Sequence, residues 1–204
     1  MVDLVPSAES VMQILQETGA YRKGHFVYPN GKHASHYFQM PLAFRYYDNA
    51  RMLSVGLSRK FRMEKAISSR LPRVSIISPS PGGIMVAFGV REALTAEQIY
   101  WAEMENGKRQ FRQYIHQGDV HPAIIVDDIL RSGKAISETI ELVKELGAEV
   151  IGIGTIVKFE DAPNEFDGIP VKSLLSFDVN FYETEEEWSG SRNASEAEQE
   201  KVRF

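Results

Sequence analysis

Residues 124–135 read IIVDDILRSGKA. An apolar run, Ile124 to Val126, leads into two adjacent acids, Asp127 and Asp128, and then a short polar loop. Behind the loop, Ile136, Ile140 and Val143 recur at helical spacing, and Gly147 can end that helix in a left-handed conformation. A short, wholly apolar run that turns into a helix has the character of a buried strand in a parallel sheet. Such sheets hold their ligands just beyond the C-terminal ends of the strands. The helix start leaves backbone N–H groups without partners and carries positive partial charge, which suits a phosphate. Ser132 adds a hydroxyl, Gly133 lets the backbone approach closely, and Arg131 and Lys134 add positive charge. The acid pair supplies acceptors for sugar hydroxyls or for a water-coated Mg2+. Phosphate at one end and a polyol at the other read as a sugar phosphate site. The same two acids can also serve as no more than a helix cap. Two nucleotide motifs fail on these residues. A P-loop needs Ser or Thr after Gly-Lys, where Gly133-Lys134 is followed by Ala135, and Gly152-Ile153-Gly154 lacks the third glycine of a dinucleotide fingerprint.

Outward from this segment the pattern alternates strand and helix. Val74 to Ser78 is a short apolar strand, followed by Gly82-Gly83 and a helix running to about Leu94. Gln98 to Trp101 reads as a strand, and Glu103 to Gln110 (EMENGKRQ) as a mobile loop between strands. Ala123 to Val126 and Glu149 to Val157 flank a helix over about Gly133 to Leu146, a βαβ unit that predicts a largely parallel sheet. Nearer the start, Ser7 caps a first helix carrying Val11, Ile14 and Leu15, which Gly19 stops. Residues 24–42 are turn-rich and aromatic, with a reversal at Pro29-Asn30-Gly31. A second helix is predicted over about Asn49 to Met63, with Met52, Leu53, Val55, Leu57 and Phe61 among its buried residues. Residues 183–204 carry seven Glu and little apolar character, and read as a mobile or loosely helical tail.

The chain has 204 residues, 23 basic against 28 acidic, for a net charge of −5, which argues against a general nucleic-acid binder. Hydrophobic residues at 43% are enough for a full core, and the absence of Cys removes disulfides, thiolate metal sites and a cysteine nucleophile. No apolar run approaches the roughly 20 residues of a membrane span, and residues 1–10 lack a signal pattern. A cytoplasmic protein with no membrane partner is expected. His25, His33 and His36 lack metal-ligand spacing and read as surface or hydrogen-bonded residues.

IIVDDILRSGKA resembles the 5-phosphoribosyl-1-pyrophosphate (PRPP) signature of type I phosphoribosyltransferases. Other segments are similar to the orotate branch of that family and follow in family order over residues 10–182. They are GHFVYPNGKHASHYFQ, SPSPGGIMVAFGV, WAEMENG followed by FRQY, and PVKSLLSF. The resemblance implies a parallel twisted sheet flanked by helices over residues 1–182, with a small hood formed from about 1–45 and 168–182. It implies transfer of 5-phosphoribosyl from PRPP to orotate in pyrimidine synthesis, dependence on Mg2+, and a homodimer. Asp127 and Asp128 would hold the ribose hydroxyls and order Mg2+, with no direct protein cage for the metal. The amides of Arg131, Ser132, Gly133, Lys134 and Ala135 would bind the 5-phosphate. Ser80, Gly82 and Gly83 would meet pyrophosphate, as would Arg112, which could instead meet the carboxylate of the base. Glu103, Lys108 and Arg109 would belong to a lid that closes over the site and reaches the neighbouring subunit, while Lys32, Tyr37 and Phe38 would face the base.

The chain departs from the family pattern at four places. Met104 replaces the Arg of the lid motif, Arg131 and Ser132 stand for the usual Thr-Thr, and Lys134-Ala135 replaces Gly-Ser or Gly-Thr. Pro29 stands where many relatives carry the orotate-contacting Lys. These leave room for a transferase of another base, or for a PRPP-binding regulator without turnover.

Overall fold

The structure, a computed structural model, describes residues 5–28, 31–191 and 201–203. Helix α1 (Ala8–Glu17) starts where Ser7 Oγ accepts from the Ser10 N–H and buries Val11, Ile14 and Leu15. Strands β1 (Tyr21–Val27) and β2 (His33–Phe38) form an antiparallel pair. Of the reversal predicted between them, Pro29 and Asn30 lie outside the described residues. Three helices follow: α2 (Pro41–Phe44), α3 (Tyr47–Arg62) and α4 (Lys65–Ser68). In α3, Leu53, Leu57 and Phe61 are four residues apart and fully buried, whereas Met52 is 47% exposed. Met52 lies about 100° around the helix from Leu53, off the buried stripe, which corrects its expected burial.

The main sheet is then laid down by β3 (Ser75–Ser78), helix α5 (Ile84–Leu94), β4 (Gln98–Glu105), β5 (Lys108–Phe111), β6 (Ala123–Leu130), helix α6 (Lys134–Glu145), β7 (Val150–Phe159), β8 (Glu165–Phe166) and β9 (Ile169–Phe177). Its order is β5-β4-β3-β6-β7-β9-β8, parallel except for the short edge strands β5 and β8. The β3–α5–β4 crossover steps one way across the sheet and β6–α6–β7 steps the other. Right-handed crossovers therefore put α5 and α6 on opposite faces. With both faces covered, Ile76, Ile77, Ile124 and Ile125 are fully buried, each contributing about 1.5–3 kcal/mol.

Residues 103–110, read as a mobile loop, instead form a β-hairpin. Glu105 pairs with Lys108, and Asn106 and Gly107 between them have φ of 50° and 75°. Asn-Gly with both residues left-handed makes a two-residue turn whose twist matches its strands. The polar residues on either side reflect a hairpin with one face in solvent, not a lack of structure.

A second, four-stranded sheet of order β10-β2-β1-β11 stands over the strand ends, with β10 at Phe181–Tyr182 and β11 at Lys201–Arg203. It is the small unit expected as a hood, except that residues 169–177 join the main sheet as β9. Within the acidic tail, helix α7 (Glu185–Ser189) is capped by Thr184, and Trp188 stacks on His25 with ring centres 3.8 Å apart. Residues 192–200 and 204 of that tail lie outside the described residues.

Candidate active site

Strand β6 pairs with β3 only from Ala123 to Ile125, because β3 ends at Ser78, while β6 continues along β7 as far as Leu130. Beyond Ile125 the two strands part, and the gap between them is the crevice of the sheet. Here the chain order of the sheet reverses, the position at which open α/β sheets bind ligands. Asp127 and Asp128 stand at this crevice.

The turn after β3 packs directly on the acid pair. Ser80 Oγ donates to Asp127 Oδ1 at 2.7 Å, and Ser78 Oγ donates to the Ser80 carbonyl at 2.6 Å. A methyl group on Gly83 would lie 2.5 Å from Asp127 Oδ1, and one on Gly82 would lie 2.8 Å from Asp128 Oδ2. Only glycines allow the turn to sit this close. Two segments about 45 residues apart in sequence thus form one surface.

Asp127 is 5% exposed, and its Oδ1 also accepts the N–H of Asp128 at 3.0 Å. Burial first, and then the charge of Asp128, hold its carboxyl well above the ordinary carboxylate range, while the Ser80 hydrogen bond works the other way. Burial raises Asp128 as well, although its Oδ1 accepts the Ile129 N–H at 2.9 Å. Two acids that resist ionisation for want of a counter-charge fit a cation arriving with the substrate. Among the described residues no three metal-ligating side chains converge, and the two carboxylates are the oxygen donors at this point.

Beyond β6, the N-cap of α6 is Gly133, with φ of 78° and no side chain to cap the helix, so the first-turn N–H groups face the loop, where the Lys134 N–H approaches Ser132 Oγ at 3.5 Å. Gly133 owes its identity to this backbone conformation and to its neighbours: a methyl there would meet Phe166 Cζ at 2.7 Å and Pro163 Cγ at 3.2 Å. Ser132 and Lys134 are exposed and Ala135 is half-buried. The Lys134 side chain turns along the helix to Glu138 at 3.7 Å. Arg131 sends its guanidinium out of the loop, over the rings of Tyr28 and Phe181.

The β4–β5 hairpin reaches the same place through Arg109. Its Nε donates to Glu138 Oε2 at 2.9 Å and its Nη1 donates to the Pro79 carbonyl, tying the hairpin to α6 and to the turn that carries Ser80. Met104 is the cross-strand partner of Arg109. Glu103 accepts from Trp101 Nε1 at 3.0 Å and pairs with Arg112 at 3.7 Å, and Arg112 also approaches Glu105. Arg112 is therefore engaged within its own hairpin. Lys108 is exposed at the hairpin end.

The expected base contacts separate. Tyr37 and Phe38 are consecutive in a strand, so their side chains point to opposite sides. Phe38 is 5% exposed and packs on Tyr21, Phe159 and Phe177, which corrects its assignment to the base. Tyr37 faces the crevice, and its hydroxyl is raised by burial and then by the charge of Asp128. Lys32 is paired with Glu183 at 2.5 Å. Tyr28 and Phe181, neither of them among the residues expected at the base, line the site beside Tyr37, with ring centres 5.7 Å apart for Tyr28–Tyr37 and 5.4 Å for Tyr28–Phe181. Period-2 alternation along β1 and β2 is the only sequence signal that could have found Tyr28.

Residues 96–185 match the Phosphoribosyl transferase domain family. The orotate phosphoribosyltransferase of Caldanaerobacter subterraneus subsp. tengcongensis is 33% identical over 178 residues, spanning 87% of this chain and 89% of that protein. That of Thermotoga petrophila is 31% identical over 179 residues, spanning 86% and 89%. Among solved structures, orotate phosphoribosyltransferase from Aeropyrum pernix shares the fold with a TM-score of 0.66 at 19% identity, covering 82% of this chain and 93% of that one. The Mycobacterium tuberculosis orotate phosphoribosyltransferase in complex with inorganic phosphate gives 0.60 at 17% identity, covering 83% and 94%. With the acid pair, the uncapped loop and the Ser80 turn meeting at the switch point of this sheet, and with relatives this similar over most of their length, the chain belongs to the orotate phosphoribosyltransferase family of the type I phosphoribosyltransferases.

Proposed function

We propose that this protein transfers the 5-phosphoribosyl group of PRPP to orotate, releasing pyrophosphate and forming orotidine 5'-monophosphate for pyrimidine synthesis. The observation that carries this reading is the buried acid pair held by Ser80 against a Gly-Gly turn, at the head of an uncapped helix. In this reading Asp127 and Asp128 accept from the ribose hydroxyls, and the amides of residues 131–135 hold the 5-phosphate. Ser80, Gly82 and Gly83 lie along the pyrophosphate. Mg2+, carried in with PRPP, would supply positive charge to the leaving oxygens.

The chemistry needs placement and charge more than covalent catalysis. The bond from the anomeric carbon to the pyrophosphate oxygen breaks, its electron pair leaving with pyrophosphate, while positive charge develops on the ribose ring. A ring nitrogen of the base forms the new bond and its proton passes to solvent. Arg109 is the cation best positioned for the departing oxygens, since its guanidinium already reaches the Pro79 carbonyl beside Ser80. Because it stands opposite Met104, it offers the hairpin a charge where the family's lid arginine is missing. Closure of the hairpin would exclude water and prevent hydrolysis of PRPP.

The same reading makes the protein a cytoplasmic homodimer. No helix among the described residues is long and apolar enough to cross a membrane. An apolar cavity of about 530 Å3 lies between α3 and α5, lined by Phe44, Tyr47, Met85 and Phe88.

The test is to add PRPP, Mg2+ and orotate to the purified protein and follow orotate absorbance. Loss of absorbance with equimolar pyrophosphate supports the proposal. PRPP binding without consumption would favour the regulator, the reading that Met104 supports. Pyrophosphate release with another base alone would favour the alternative transferase, the reading that the pairing of Lys32 with Glu183 supports.

A further inference from the structure

One carboxylate of α6, Glu138, stands between the β4–β5 hairpin and the loop that precedes the helix. Its Oε2 accepts from Arg109 Nε at 2.9 Å, and its Oε1 lies 3.7 Å from Lys134 Nζ. The two cations are not held alike. Lys134 is exposed and lies one helical turn away, so water screens that pair and it is weak. The Arg109 side chain is only 10% exposed, and its pair with Glu138 is screened far less.

A guanidinium is a rigid plane of several N–H donors. Glu138 takes the Nε donor and the Pro79 carbonyl takes one on Nη1, so the plane is pinned from both ends. The rest of the fork stays beside the turn that carries Ser80, whose hydroxyl is bonded to Asp127. One anion shared by two cations leaves a net positive charge, so Arg109 is oriented without being neutralised. A neutral carbonyl is a poor substitute for the carboxylate, because a cation withdrawn from water needs an opposite charge close by. Without Glu138, the long stem of Arg109 is free to carry the guanidinium out to solvent. Met104, directly across the hairpin, has no charge to take its place.

We propose that Glu138 is a positioning residue for the transfer step. It holds Arg109 over the Ser80 turn, so that the guanidinium meets the pyrophosphate oxygen as that oxygen takes the electron pair of the breaking bond. Glu138 itself acts only through Arg109. The proposal rests on the reading of this protein as an orotate transferase with Arg109 at the leaving group.

The experiment is a double-mutant cycle of Glu138→Ala and Arg109→Met, read as kcat and KM for PRPP at saturating orotate, with Glu138→Gln as the conservative variant. Glu138→Ala is expected to lower kcat and kcat/KM together by about 10- to 100-fold with KM little changed, as for a group misplaced in the transition state. Arg109→Met should cost at least as much. Adding Glu138→Ala to it should cost little more, because the carboxylate then has nothing to hold. Glu138→Gln should fall between Glu138→Ala and the wild type, since its amide oxygen still accepts from Nε. Losses that multiply in the double variant would show Glu138 acting apart from Arg109 and overturn the proposal. So would a loss that Glu138→Gln does not relieve and that follows the urea midpoint, the mark of a structural tether. Unchanged kcat in Glu138→Ala would overturn it too, while leaving the orotate reading standing. A wild type that consumes no orotate would bring down that reading, and the proposal with it.

Discussion

Replacing Gly133 by Ala tests how the loop between β6 and α6 is held. The residue has φ of 78°, where a side chain costs about 1–2 kcal/mol. The new methyl would also stand 2.7 Å and 2.9 Å from two carbons of the Phe166 ring and 3.2 Å from Pro163 Cγ. Carbon contacts are comfortable near ~3.5–4.0 Å, so an overlap of this size adds about 1–3 kcal/mol of overpacking. The sum, about 2–5 kcal/mol, is a large share of the ~5–15 kcal/mol of a typical domain. Gly107→Ala is the control: φ is 75° and nothing lies within 4 Å, so only the backbone part, about 1–2 kcal/mol, applies. Urea unfolding of both variants, at unchanged slope, should place Gly133→Ala clearly below Gly107→Ala. Adding Phe166→Ala to Gly133→Ala removes the overlap and should restore part of the difference in a double-mutant cycle. Equal destabilisation by the two glycine substitutions, or no coupling to Phe166, would refute the idea that β8 anchors the loop. The folded fraction of Gly133→Ala should also bind ribose 5-phosphate more weakly, because the loop amides shift with their anchor.

Asp128→Asn should weaken PRPP binding by more than about tenfold, since one acceptor of sugar hydroxyls becomes a donor, and unchanged affinity in a fluorescence titration would count against the crevice as the sugar site. Asp127→Asn should make the unliganded protein more heat-stable near neutral pH. The sign follows from the raised folded-state value: the native protein binds a proton that the unfolded chain has released, so wild-type stability is full below about pH 4 and falls as pH rises through the folded value. Melting curves across that range should show this decline shrinking in the variant, and an identical decline would remove Asp127 as its source. Met104→Arg should raise turnover at constant PRPP affinity if a leaving-group charge is missing from the lid, whereas a loss of hairpin order would point to repulsion from Arg109 directly across the strands.

What sequence alone determined is local. Ile124 to Ala135 carries its strand, its acids and its helix start within twelve residues, and those follow from apolar run length, backbone valence and loop chemistry. The Asn106-Gly107 turn was equally local and legible, but its polar flanks, which face solvent, pass for a loop. Alternation along β2 requires Tyr37 and Phe38 to part, yet it does not say which of them meets the crevice. That was decided when Phe38 packed against Phe159 and Phe177, residues more than a hundred positions away. Charge behaves in the same way. Composition counts cations but cannot assign them, because a side chain takes the acid or ring that the fold brings near: Lys32 takes Glu183, Arg109 takes Glu138, and Arg131 takes the faces of Tyr28 and Phe181. The identity of the strand and loop chemistry was thus written in neighbouring residues. Which charges remain for a substrate was left to tertiary packing, since Coulomb and ring contacts act over ångströms in space and take no account of distance along the chain.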